Sequence, residues 1–193
     1  MNRVLVILVF AILLFSCSQK KKQQNNEEQF FPVSSYLKGQ VAQMDSSLST
    51  IMAIQQQDSS KPDTTYVRNK EFKTYAKEFL NLPDISSDKL RGDYQVTNMY
   101  DDLLDSYIFT YTTDEKDDVI KKQDVLVEPG ENGENNIKTI NIDKWETKGD
   151  STIHKNMVWD SGKRFLIITK VQKNNQPEKI HTLEVKWNNP SNS

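Results

Sequence analysis

The sequence is short of the residues that most often announce a chemistry. One cysteine, two histidines and six glycines stand among 193 residues. A lone cysteine excludes any intramolecular disulfide, so the fold must be held by burial and hydrogen bonding. Six glycines leave little material for a phosphate cradle, and no GxxxxGK[ST] loop, G-x-S-x-G elbow or H-E-x-x-H helix occurs. No apolar run reaches the roughly 20 residues that a spanning helix needs. Charge of one sign is also missing: 25 basic against 27 acidic side chains give a net charge of −2. That balance lacks the positive field of a dedicated nucleic-acid binder. A hydrophobic content of 36% over this length supports one core rather than two.

What is present begins at the N-terminus. Residues 1–16, MNRVLVILVFAILLFS, place Arg3 before twelve consecutive apolar residues, Val4 to Phe15. A short charged start followed by an apolar run of that length predicts a cleaved secretory signal.

The end of that run, Leu14-Phe15-Ser16-Cys17, resembles the lipobox of bacterial lipoprotein precursors. The resemblance covers about seventeen residues. It implies that Cys17 is the lipid attachment site, receiving a diacylglyceryl group and becoming the acylated first residue after cleavage. It further implies a partner, the membrane, reached through the N-terminal lipid. The expected location is the bacterial cell envelope, on the periplasmic face of the outer membrane. Each buried methylene contributes about 0.8 kcal/mol and stable anchoring needs more than one chain, which a multiply acylated cysteine supplies. Residues 18–29, SQKKKQQNNEEQ, carry no aliphatic or aromatic side chain. They cannot bury surface to offset ordering entropy, and read as a disordered tether. Lys20, Lys21 and Lys22 either sit against anionic headgroups or are merely solvated.

The folded part is expected over residues 30–189 as a single domain, with 190–193 as a tail. Leu37, Val41, Met44, Leu48 and Ile51 recur at spacings of four and three, predicting an amphipathic helix with Ser34 or Ser35 as N-cap. It is read as a helix laid on a sheet, with a coiled-coil seam as the alternative. Residues 55–66 read as a polar loop. Phe72, Tyr75, Ala76, Phe79 and Leu80 predict a second helix from about Arg68 to Leu80, capped by Asn69. Beyond Tyr94, aromatic and β-branched runs separated by turn residues predict about six strands in an antiparallel meander. Parity assigns Ile153, Met157, Trp159, Phe165, Ile167, Val171, Leu183, Val185 and Trp187 to the core. The fold class expected is therefore α+β, with two N-terminal helices on one face of the meander.

Candidate sites are sparse. His154 falls opposite in parity to the core residues of its strand, whereas His181 shares the parity of Leu183, Val185 and Trp187. Trp145 shares parity with Asn141 and Asp143, so it is a candidate contact residue on the wet face, unless a β-bulge turns it inward. Residues 101–118 hold seven acidic side chains and one lysine, net −6; residues 138–187 hold ten basic and six acidic, net +4. The molecule is expected to be dipolar, able to steer a charged partner at close range. The acidic cluster, like Glu128 to Asn136, fits no spaced calcium loop, and nothing in it singles out a glycosidase pair. No catalytic residue, metal or cofactor is therefore assigned. The expected function is a non-enzymatic envelope module that binds an unidentified protein or ligand. The alternatives are an envelope hydrolase with unidentified carboxylates, and a lipid carrier with a cavity under the sheet.

Overall fold

A computed structural model describes residues 30–130 and 135–188. The expected signal segment, Cys17, the tether and the C-terminal tail lie outside the described residues, as does most of the turn expected between Pro129 and Asn136.

Helix α1, Val33–Asp45, buries Val33, Leu37, Val41 and Met44 along one face. Its N-cap is Pro32 rather than a serine, and no side chain caps it. Proline is tolerated there because its missing N–H would lack an intrahelical partner anyway. At the other end the orphaned carbonyls are met from outside the helix. Asn69 Nδ2 donates to Met44 O (3.0 Å) and Ser47 O (2.8 Å), and Ser47 Oγ donates to Met44 O (3.2 Å).

The apolar stripe does not continue into Leu48 and Ile51 as a helix. Leu48 is 90% exposed, and Ile51 belongs to strand β1, Thr50–Gln57, where it is buried beside Ala53. Strand β2, Asp63–Val67, returns antiparallel along β1. The expected loop over 55–66 is thus a hairpin. The second helix is also divided. A 3₁₀ turn, Asn69–Glu71, leads into α2, Phe72–Tyr75, and α3, Lys77–Leu80, because Ala76 leaves helical values with ψ at 3°. Asn69 does not cap it; its side chain is committed to α1.

Strand β3, Gln95–Asp101, then opens a meander through β4 (Ser106–Thr112), β5 (Ile120–Pro129), β6 (Asn135–Lys148), β7 (Ser151–Asp160), β8 (Arg164–Lys173) and β9 (Lys179–Asn188). The whole is one antiparallel sheet of nine strands in the order β2-β1-β9-β8-β7-β6-β5-β4-β3. This overturns the expected six-strand meander under two amphipathic helices. One thirteen-residue helix and short helical turns accompany a sheet half as large again as expected. The strands the sequence hides are β1, β2 and β3. Their side chains are largely polar, and their extended state rests on backbone pairing with β9, β1 and β4 respectively.

Register arranges the helix-covered face in rows. The first runs Ala53, Val185, Phe165, Trp159, Ile140, Val125, Phe109 across β1, β9, β8, β7, β6, β5 and β4. Phe72 and Phe79 sit on it, their rings 5.1 to 6.3 Å from those of Trp159, Phe165 and Trp187. Edge-to-face contacts dominate, the geometry favoured by ring quadrupoles. Here the core is filled. The second row runs Gln55, Leu183, Ile167, Met157, Ile142, Gln123, Tyr111, and the third Gln57, His181, Thr169, Lys155, Lys144, Ile120. Across three rows the face grades from apolar to polar, and its polar end carries the candidate site.

Candidate functional site

The third row contains an arrangement that costs free energy to build. Lys144 and Lys155 are direct cross-strand partners on β6 and β7, and like charges so placed repel. Their side chains are only 7% and 10% exposed. Two carboxylates offset the charge. Lys155 Nζ lies 2.8 Å from Glu78 Oε2 and 3.8 Å from Glu146 Oε2, and Lys144 Nζ lies 3.1 Å from Glu146 Oε1 and 3.8 Å from Glu78 Oε2. Three members of this quartet stand on strands, and Glu78 descends from α3. Glu78 is followed by Phe79, so one short turn of helix sends an anion to the lysines and a ring to the aromatic core.

Glu78 is also the most open of the four, at 43% exposed. Partial burial pushes its carboxyl up. The hydrogen bond from Lys155 and the charges of Lys155, Lys144 and Lys148 outweigh that and hold it below the usual carboxylate value. Glu146 Oε2 is buried and accepts no hydrogen bond; its 3.8 Å approach to Lys155 is ionic contact only.

Beside the quartet lies a cleft of about 330 Å³, a volume at the lower end of small-molecule sites. Its roof is Thr74, Tyr75, Lys77 and Glu78 from α2 and α3. Its floor is Gln55, Ile167, Thr169, His181 and Leu183 from β1, β8 and β9. Thr169 is the cross-strand partner of Lys155 and of His181, and Glu78, which lines the cleft, is the residue that joins it to the buried ammonium of Lys155. Its polar groups are mostly ones that both donate and accept, and Glu78, already bonded to Lys155, is the carboxylate lining it.

The two histidines lie on opposite faces of the sheet. His181 reaches the cleft, as its parity predicts. His154 lies on the outer face, stacked on Trp145 with ring centroids 4.1 Å apart and planes 17° apart, and its Nε2 is 3.1 Å from Asp143 Oδ1. The sheet separates them, so they share no site. Trp145 is 42% exposed and pairs in register with His154. In the acidic segment, the Asp101 carboxylate accepts N–H bonds from Leu103 and Leu104 (2.9 and 3.1 Å), and Thr113 Oγ1 donates to Asp118 Oδ2 (3.1 Å). Those acids shape turns. Among the described residues no group of three or more His, Cys, Asp or Glu side chains is placed to hold a metal, and no helix is long and apolar enough to cross a membrane.

Reasoning from sequence missed the quartet. The signal was a lysine at core parity within an apolar strand: Lys155 interrupts Ile153, Met157 and Trp159, and Lys144 follows Ile140 and Ile142. No amount of strand parity supplies Glu78, which arrives from a different element. Comparison of the chain with protein-family models, with curated proteins and with solved structures finds no match.

Proposed function

We propose that this chain is a lipid-anchored module of the bacterial cell envelope that holds a ligand without transforming it. The anchor is Cys17, supported by the likeness of residues 14–17 to a lipobox, and the place proposed is the periplasmic face of the outer membrane. The observation that carries the binding half is the cleft between α2–α3 and β1, β8 and β9, with its polar lining and with Glu78 linking it to the buried Lys155.

The same geometry weighs against the two alternatives. A glycosidase needs two carboxyls flanking one bond. The cleft is lined by one carboxylate, Glu78, and that one is bonded to Lys155. A lipid carrier needs an empty apolar chamber, whereas the apolar rows under the helices are packed with Phe72, Phe79, Trp159, Phe165 and Trp187.

The anchor is tested by replacing Cys17 with Ser, fractionating the cells and weighing the protein. Release from the membrane with loss of the acyl mass is expected; unchanged retention and mass would sink the assignment. The binding half is tested by protein-observed NMR of the full chain in detergent against a mixture of sugars, amino acids and short peptides. Saturable binding that shifts His181 and Thr169 without turnover is expected. Turnover of any component would move the reading to an enzyme.

A further inference from the structure

The quartet is an ion site with one removable member. Lys144, Lys155 and Glu146 stand on paired strands, and the two lysine side chains are nearly fully buried there. Two ammonium groups against one carboxylate leave this fixed part at +1, and nearly full burial makes that charge costly to leave unpaired. Glu78 supplies the missing negative charge. It does so from a four-residue helix, with a half-open side chain that a change of rotamer can swing into solvent. Glu78 also lines the cleft, so its departure from Lys155 would open the cleft toward that ammonium.

We infer that the cleft binds carboxylate-bearing ligands, whose carboxylate takes the place of Glu78 on Lys155. The inference rests on the reading of the cleft as a ligand site. The internal carboxylate marks the geometry an incoming one must match: a single oxygen at hydrogen-bond distance from Lys155 Nζ, with Lys144 Nζ further back. The rest of the cleft sets the body of the ligand. Thr169, His181 and Gln55 suit hydroxyl or amide groups, and Ile167 and Leu183 offer an apolar floor. A volume of about 330 Å³ lies at the lower end of small-molecule sites. That is room for a single carboxylated sugar or a comparable small acid. Lys77 on the roof adds a second positive charge that favours an anion entering.

The test compares glucuronate with glucose, rings of similar size that differ in the carboxylate, on the full chain in detergent. Binding is read from the lysine Nζ and His181 resonances in the native protein and in Glu78→Gln, which keeps the side-chain shape and removes the competing charge. Glucuronate is expected to shift the Lys155 signal saturably and to bind at least fivefold tighter to Glu78→Gln, while glucose leaves the lysines unmoved. A Lys155→Gln variant, retaining a neutral polar group in the wall, is expected to lose glucuronate binding. Equal binding of both sugars would overturn the carboxylate inference and leave the ligand site standing. Weaker glucuronate binding in Glu78→Gln, or no lysine shift in either protein, would overturn it as well, whether or not neutral compounds from the wider screen occupy the cleft.

Discussion

Removing the ring of Phe79 tests the link between core and site most directly. The side chain is fully buried, with Trp159 at 5.2 Å and Phe165 at 5.4 Å, both edge-on. Phe-to-Ala changes in well-packed cores cost about 3–5 kcal/mol, and the ring here meets rigid strand residues that cannot close the gap. Against a total stability on the order of 5–15 kcal/mol, that is about a fifth of the whole at the least. At roughly 2–4 °C per kcal/mol for a chain of this size, the midpoint should fall by about 6–20 °C. A second effect follows from chain adjacency. Helix α3 has four residues, far below the length at which a helix holds by itself, so burial of Phe79 is what fixes the position of Glu78. Phe79→Ala should therefore also loosen the contact between Glu78 and Lys155. Urea unfolding followed by circular dichroism gives the stability, and the lysine Nζ resonances report the ion pair. Leu48→Ala is the control: a residue of the expected helical stripe that is exposed and should change stability by no more than about 0.5 kcal/mol. A loss under about 1 kcal/mol for Phe79→Ala, or a loss equal to that of Leu48→Ala, would falsify the packing account.

Other perturbations read separate parts of the structure. Burial pushes the Tyr111 phenol up to about 12 despite the Phe31 N–H that donates to it, so between pH 10 and 12 the unfolded chain loses a proton that the folded one keeps. Stability conferred by this group is complete below pH 10 and falls above it by about 1.4 kcal/mol per pH unit; alkaline unfolding curves that stay flat to pH 12 would contradict this. Glu78 has the opposite sign: its lowered value supplies stability above the ordinary carboxylate range that is lost on acidification, and carboxyl NMR titration should place its midpoint below 4.5. Arg164 links Asp160 and Glu184 at 2.8 Å each, yet is 40% exposed, so Arg164→Ala should cost only about 1 kcal/mol in thermal unfolding, and a loss above about 3 kcal/mol would mean the ion pairs are screened less than their exposure implies. Trp145→Ala should change stability by less than about 1 kcal/mol, since the ring lies on the outer face; a core-sized loss would show that it is packed inward.

How far the sequence discloses this fold varies by element. Strands β4 to β9 are legible because their apolar residues alternate and their turns carry glycine or asparagine where the backbone demands it. Gly149, Gly162 and Asn175 all adopt positive φ at hairpin turns. Helix α1 is legible for a different reason, the recurrence of Val33, Leu37, Val41 and Met44. Strand β1 misleads because Leu48 and Ile51 extend the helical spacing by coincidence, and because Met52 and Ile54 put apolar groups on the outer face as well, which erases the alternation. Gln55, Gln56 and Gln57 favour a loop by composition, yet they are extended because β9 pairs with them. Pairing partners distant in sequence decide that outcome, and local pattern has no access to them.

The candidate site follows the same division. The outer-face position of Trp145 is legible from parity because one strand suffices to define its face. The quartet required three elements, β6, β7 and α3, to be assembled before its meaning emerged. Lys144 and Lys155 signal trouble in their own strands, since a core-facing ammonium demands a counter-charge. Glu146, two residues beyond Lys144 on the same face, supplies half of it. The remaining half comes from Glu78, which in the sequence belongs to an unremarkable helical turn. A structure that needed only permanence there would place the fourth charge on a strand with the others. Placing it on a four-residue helix, in the roof of a cleft, makes the fourth position exchangeable, and exchange of Glu78 for a ligand carboxylate is the property that its substitution by glutamine is designed to expose.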